Sequence, residues 1–191
     1  LYVTSDQRAV QNYPVALYRG NKAKITVLVS NQGVGHNFPG GAIDLNEAWI
    51  DFDIYDGAGQ LVFSRGDLKE NGELDPLATV YKEVAVDRFG KEVWRHDLFN
   101  MVGRSYVNVI PAGSTDIVNF EFDIPDWATS PLTISATLKI RMLNQKYHDW
   151  VNEQEEVKEN PVVDVARDAI KVPLLKTPAV MSEPISSQVA D

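Results

Sequence analysis

Apolar and polar residues alternate with a period of two along most of this chain, the pattern of antiparallel strands packed on one face. In Lys24–Ser30, Ile25, Val27 and Val29 alternate with Lys24, Thr26 and Ser30, and Leu28 stands out of phase. Glu47–Asp56 sets Ala48, Ile50, Phe52 and Ile54 against Glu47, Trp49, Asp51, Asp53 and Tyr55. Asp116–Ile124 sets Val118, Phe120, Phe122 and Ile124 against Asn119, Glu121 and Asp123. Pro131–Met142 is the longest run, with Leu132, Ile134, Ala136, Leu138, Ile140 and Met142 opposite Thr133, Ser135, Thr137, Lys139 and Arg141. Shorter candidates are Pro14–Tyr18, Gln60–Arg65, Val80–Val86, Glu92–Arg95, Ser105–Ile110 and Ala169–Leu174. Turn signals at Asp56-Gly57-Ala58-Gly59, Asp87-Arg88-Phe89-Gly90 and Pro111-Ala112-Gly113 separate them. About ten short strands at this spacing predict an all-β fold, an antiparallel β-sandwich immunoglobulin-like in general architecture.

Helix is scarce. Asn144 to Glu156 has room for one or two turns, with Tyr147, Trp150 and Val151 at helical spacing. From Thr177 the periodicity stops and Pro178, Ser182, Pro184, Ser186 and Ser187 accumulate, which predicts an extended or disordered tail over 177–191. The expected organisation is an N-terminal arm over 1–13, a sandwich domain over 14–176 and that tail.

Composition narrows the function. With 191 residues the chain suits one domain with a sizeable core. A formal net charge of -9 argues against nucleic acid as a partner, because phosphate contacts need clustered Lys and Arg. No apolar run approaches the roughly 20 residues of a membrane-spanning helix. The chain begins Leu1-Tyr2-Val3 without Met, so a mature product or a segment of something longer is expected. There is no cysteine, which excludes disulfides, thiolate metal sites, CxxCH haem attachment and a cysteine nucleophile.

Chemistry concentrates in Asn31-Gln32-Gly33-Val34-Gly35-His36-Asn37-Phe38-Pro39-Gly40-Gly41, between two of the strongest strand patterns. Gly35, Pro39 and Gly41 are the residues expected to shape this loop. His36, at its centre, is either a ligand aimed outward or a staple hydrogen-bonded to the loop backbone or to Asp44. A small site of His36 with Asp44 and Glu47 is a further possibility of sequence proximity. The other histidines are His96 and His148, and no HExxH, GxSxG, P-loop or dinucleotide fingerprint is present. The carboxylate pairs Asp51/Asp53 and Glu121/Asp123 fall on strand faces expected to be solvated. Nothing here makes an active site, so no enzyme is expected. Asp67 to Asp75 partly matches a calcium loop, with Asp67, Asn71 and Asp75 as candidate ligands. Lys69 and Ala78 occupy positions where an acidic or amide ligand and a bidentate Glu normally sit, so the alternative is a polar hairpin.

From Asn31 through Asp75 and Pro76 the sequence resembles the β-rich, haem-free domain that follows the haem-binding part in many bacterial multihaem c-type cytochromes. The pattern N-x-G-x-G-H-x-x-P-T-G-x-x-D falls on Asn31, Gly33, Gly35, His36, Pro39, Gly41 and Asp44. A Trp-bearing strand, a D-x-x-G hairpin and a G-x-L-D-x-x-G loop follow at Trp49, Asp56, Gly59, Gly66, Leu68, Gly72 and Asp75. Asp87-x-x-Gly90, Arg95-His96, Ile110-Pro111 and Pro131-Leu132 extend the resemblance over residues 22 to 175. The chain departs from the pattern at Gly40, where Thr is usual, at Lys69, where Asp is usual, and in having no CxxCH.

The resemblance implies a structural and docking domain of, or companion chain to, a multihaem cytochrome working in electron transfer, in the periplasm or at the cell surface. No cofactor would be covalently bound. The partner would be a haem-bearing domain or subunit, and His36 would contact haem c of that neighbour as an axial ligand. The alternative from the residues alone is a stand-alone extracellular binding module for glycan or protein. It would use Trp49, Tyr55, Trp94, Trp127 and Trp150 as an aromatic surface, or the terminal arms for assembly.

Overall fold

The computed structural model describes residues 16–153 and 160–176. Among them the chain forms β1 (Leu17–Tyr18), β2 (Lys22–Ser30), β3 (Glu47–Tyr55), β4 (Leu61–Arg65), β5 (Val80–Val86), β6 (Gly103–Asn108), β7 (Thr115–Asp123) and β8 (Leu132–Arg141), then helix α1 (Gln145–Asn152), β9 (Val162–Val172) and β10 (Leu174–Leu175). This is the expected all-β, sandwich-like architecture. The arm over 1–13 and the tail over 177–191 lie outside the described residues.

One layer is a six-stranded sheet in the order β6-β5-β3-β8-β9, with β4 also paired to β3. Strand β3 is its centre. It pairs antiparallel with β8 from Glu47 opposite Arg141 to Tyr55 opposite Thr133. Its other edge is shared, β5 taking Ala48 and Trp49 and β4 taking Phe52 to Tyr55. The second layer is the β2–β7 ribbon, paired from Lys22 opposite Asp123 to Ser30 opposite Thr115. A short parallel pair, β1 with β10, joins the two ends of the described chain.

The period-two pattern explains how the layers meet. Ala48, Ile50, Phe52 and Ile54 are all fully buried, and they share a core with Val27, Val29, Phe120, Phe122, Leu132, Ile134 and Leu138. Phe52 and Phe120 stack across the layers at 4.1 Å and 5°. Each large side chain buried this way contributes about 1.5–3 kcal/mol, so this interface is the main source of stability.

Three segments differ from the sequence expectation. Glu92–Arg95 is not a strand: it holds one bridge, Val86 with Glu92, and Trp94 turns away to pack on Trp150 at 6.1 Å. Strand β9 starts at Val162 rather than Ala169. It is a sheet edge, exposed through Val163, Asp164 and Val165, and a register shift that leaves Val165 as an extra residue opposite Leu138 and Lys139 breaks the alternation. Strand β6 ends at Asn108, and Ile110 instead bridges Phe38 in the histidine loop. The helical window at Asn144 does hold α1, capped by the Asn144 side chain accepting from the Tyr147 N–H at 2.9 Å.

Candidate functional site

The histidine loop leaves β2 at Asn31, and Asn31 organises it. Its buried side-chain amide donates to the carbonyls of His36 at 2.8 Å and Ile110 at 2.9 Å. Phe38 and Ile110 exchange backbone bonds of 2.9 and 2.7 Å, and the Asn46 amide donates to the Gly40 carbonyl at 2.9 Å. Pro39 is buried beneath, and Gly41 takes the left-handed φ of +74° that a side chain would disfavour. Gly35 does not adopt a positive φ. Six of the loop's residues, from Gln32 to Asn37, are exposed on this rigid base.

His36 is one of them. Its Nδ1 lies 2.8 Å from the Asn37 carbonyl. A carbonyl can only accept, so Nδ1 carries the hydrogen and Nε2 the free lone pair. Gly40 permits this pose, because a Cβ there would sit 2.8 Å from Nδ1. The ring is therefore tied to the loop backbone, as one reading expected, while remaining exposed, as the other required.

The pairing of His36 with Asp44 is not found. The Asp44 carboxylate instead holds His96, both oxygens lying 2.9 Å from His96 Nδ1. Nor do His36, Asp44 and Glu47 converge, since Glu47 turns to Arg141 and Lys82. The Arg141 guanidinium donates to Glu47 at 2.6 and 3.1 Å, and Lys82 lies 2.9 Å away. Burial pushes the Glu47 carboxyl up, but these two cations hold it below the usual range. Asp44, Glu47, Lys82 and Arg141 line a polar cleft of about 830 Å³ with Glu83 and Gln145.

Of the calcium candidates, Asn71 and Asp75 spend their oxygens on the hairpin itself. Asn71 Oδ1 accepts the Glu73 N–H at 3.1 Å, and Asp75 accepts those of Leu77 at 2.9 Å and Gly66 at 3.2 Å. Asp67 accepts the Ser64 hydroxyl and joins Asp51 and Asp53, with carboxylate oxygens of the three within 4.8 Å of one another. Burial and the neighbouring carboxylates push Asp51 and Asp53 up, and Lys139, 3.2 Å from Asp51, only partly offsets this. The sequence shows the Asp51/Asp53 pair but not its third member, which arrives through the β4 hairpin.

The aromatics do not form one surface. Trp49 is fully buried, and its Nε1–H donates to the Gly66 carbonyl at 3.0 Å. Trp127 is exposed, and Trp94 and Tyr147 each pack on Trp150. Sequence reasoning missed the Asp44–His96 pair because 52 residues separate its members; the only trace was His96 standing within the resemblance.

No protein-family model matches the sequence, and no curated protein is similar to it in sequence. Among solved structures, a penta-haem cytochrome c552 from Thermochromatium tepidum is similar in fold, with a TM-score of 0.59 and 16% identity. The match covers 79% of this chain and 36% of that one, so the chain spans about a third of that cytochrome's length. With no cysteine, this chain cannot attach haem c itself.

Proposed function

We propose that this chain is a non-catalytic docking domain in a multihaem c-type cytochrome assembly for electron transfer, in the periplasm or outside the cell. The observation that carries the reading is His36, an exposed imidazole on a braced loop with Nδ1 held by a carbonyl. That leaves the Nε2 lone pair for an outside acceptor, the arrangement an axial haem ligand needs. The likeness in fold to a penta-haem cytochrome supports the same context. Burial of Trp49 and the scatter of the other aromatics disfavour a glycan platform. The haem would belong to a neighbouring domain or subunit, which the sandwich would cover and space.

The test is a UV–visible spectrum with intact-mass analysis of the protein isolated from its native source under mild conditions. A Soret band that travels with this polypeptide is expected; a colourless, haem-free monomer would overturn the reading. In the coloured assembly, His36→Ala should shift one haem's spectrum. An unchanged spectrum with a lowered melting temperature would reject the ligand role and leave His36 a staple.

A further inference from the structure

We propose that His96 is a second iron ligand of this chain, offered to a haem carried by another domain or subunit, with Asp44 as its positioning residue. The inference rests on the docking reading but uses a different loop. Asp44 has a side chain only 6% exposed, whereas the His96 side chain is 38% exposed, so a buried carboxylate presents a ring that reaches solvent. Both contacts lie at Nδ1, which fixes the ring and leaves Nε2 as the nitrogen not engaged by Asp44. Carboxylate–histidine pairs of this form orient metal-bound imidazoles and raise their basicity.

Two independent features mark the position. His96 has a φ of 56° and is the one non-glycine residue with positive φ among those described. A left-handed backbone is uncommon at a residue with a side chain and persists where the surroundings impose it. The loop that follows is braced by bonds from Met101 N–H to Asp97 O and from Val102 N–H to Val86 O. Yet it shows its apolar side chains to solvent: Leu98, Val102 and a fully exposed Phe99. An ordered loop that displays such residues beside an outward imidazole suits one occupant, the apolar edge of a porphyrin whose iron the imidazole reaches. In binding, the Nε2 lone pair would take an open axial position and displace a weak ligand such as water.

The test is a titration of the full chain with the ferric haem undecapeptide of a c-type cytochrome, which leaves one axial position open. The unmutated chain should convert it from high to low spin, read as a Soret shift. His96→Gln, which keeps an amide donor for Asp44 but loses the ligating nitrogen, should remove part of that shift, and His36→Ala the remainder. Asp44→Asn should weaken the His96-dependent part about 10-fold or more, with the fold checked by circular dichroism. If His96→Gln titrates like the unmutated chain, the proposal is overturned. Loss of the whole shift in His36→Ala would sink His96 and keep the docking reading. An unmutated chain that produces no shift overturns both ligand roles, while the colour of the native preparation judges the docking reading separately.

Discussion

Glu47 and Asp51 stand four residues apart on the outward face of β3, and the fold treats them in opposite ways. At the Glu47 end that face is roofed. Trp49 is sealed under Gly66, Arg141 lies over the Trp49 ring at 5.6 Å, and its guanidinium also donates to the Gly72 carbonyl at 2.7 Å and to Gln145 at 2.9 Å. At the Asp51 end the cover is partial, and half-buried Asp51 and Asp53 crowd together with exposed Asp67, with Lys139 as a nearby cation. One end is a carboxylate made comfortable by two cations; the other is a set of carboxylates that repel. Whether an outward strand position is wet is decided by what covers the sheet, not by the strand's own alternation. Arg141 and Gln145 of the same roof also line the cleft that Asp44 borders.

The largest expected effect comes from unpairing the covered end. Arg141→Met leaves buried Glu47 with Lys82 alone and strips the donor from the Gly72 carbonyl, and it should lower unfolding free energy by about 3–5 kcal/mol in urea titration. Adding Glu47→Leu to that variant should recover part of the loss, because the buried charge is gone while the partly exposed Lys82 can turn to water and the Gly72 carbonyl stays without its donor. A loss below about 1 kcal/mol in the single variant would mean that water reaches Glu47 as it reaches an exposed surface ion pair. Next in size is Trp49→Phe. It keeps an aromatic ring but loses the bulk of the indole and strips the donor from the Gly66 carbonyl, and at least about 1–3 kcal/mol should be lost in the same titration. Gly66 itself has little latitude: its φ is +89° and a Cβ would run into the Ile50 carbonyl.

How much of this was legible follows from the same contrast. The inward residues of β2, β3, β7 and β8 were readable because burial on one face imposes a period of two, whatever the loops do. Trp49 was readable only as an ambiguity, a large aromatic in a polar phase, because its roof comes from residues 66–79 and α1. Arg141, 94 residues from Glu47, looked like one more solvated position of the longest strand. The His36 loop could be found from its glycines and proline, and of its two offered partners the loop backbone is present while Asp44 holds His96 instead. Sequence proximity favoured His36, whereas the fold carries residue 96 across to meet the turn before β3. Strand β9 is only half legible because the register shift at Val165 puts its apolar residues out of phase.

The smallest expected effect is the one that tests the sign of the contrast. At Asp51 burial and the Asp53 charge raise the carboxyl above its ordinary value of 3.8. The native state therefore holds a proton that the unfolded chain has released, and this end loses stability as pH rises from about 3.8 through the higher native value. Glu47 runs the other way. Its native value lies below the ordinary 4.5, so its contribution is present above 4.5 and is lost as pH falls toward the native value. Asp51→Asn removes the first term and leaves the second. It should be neutral to slightly stabilising at pH 7, by less than about 1 kcal/mol, since relief of repulsion is set against loss of the Lys139 pair. Its stability should also fall more steeply than that of the unmutated chain as pH drops from 6 to 4, because the compensating proton uptake at residue 51 is gone. Urea titrations at intervals across that range would show it. A shallower acid slope in Asp51→Asn would mean that Lys139 already settles the open end, and that the two ends of β3 are electrostatically alike.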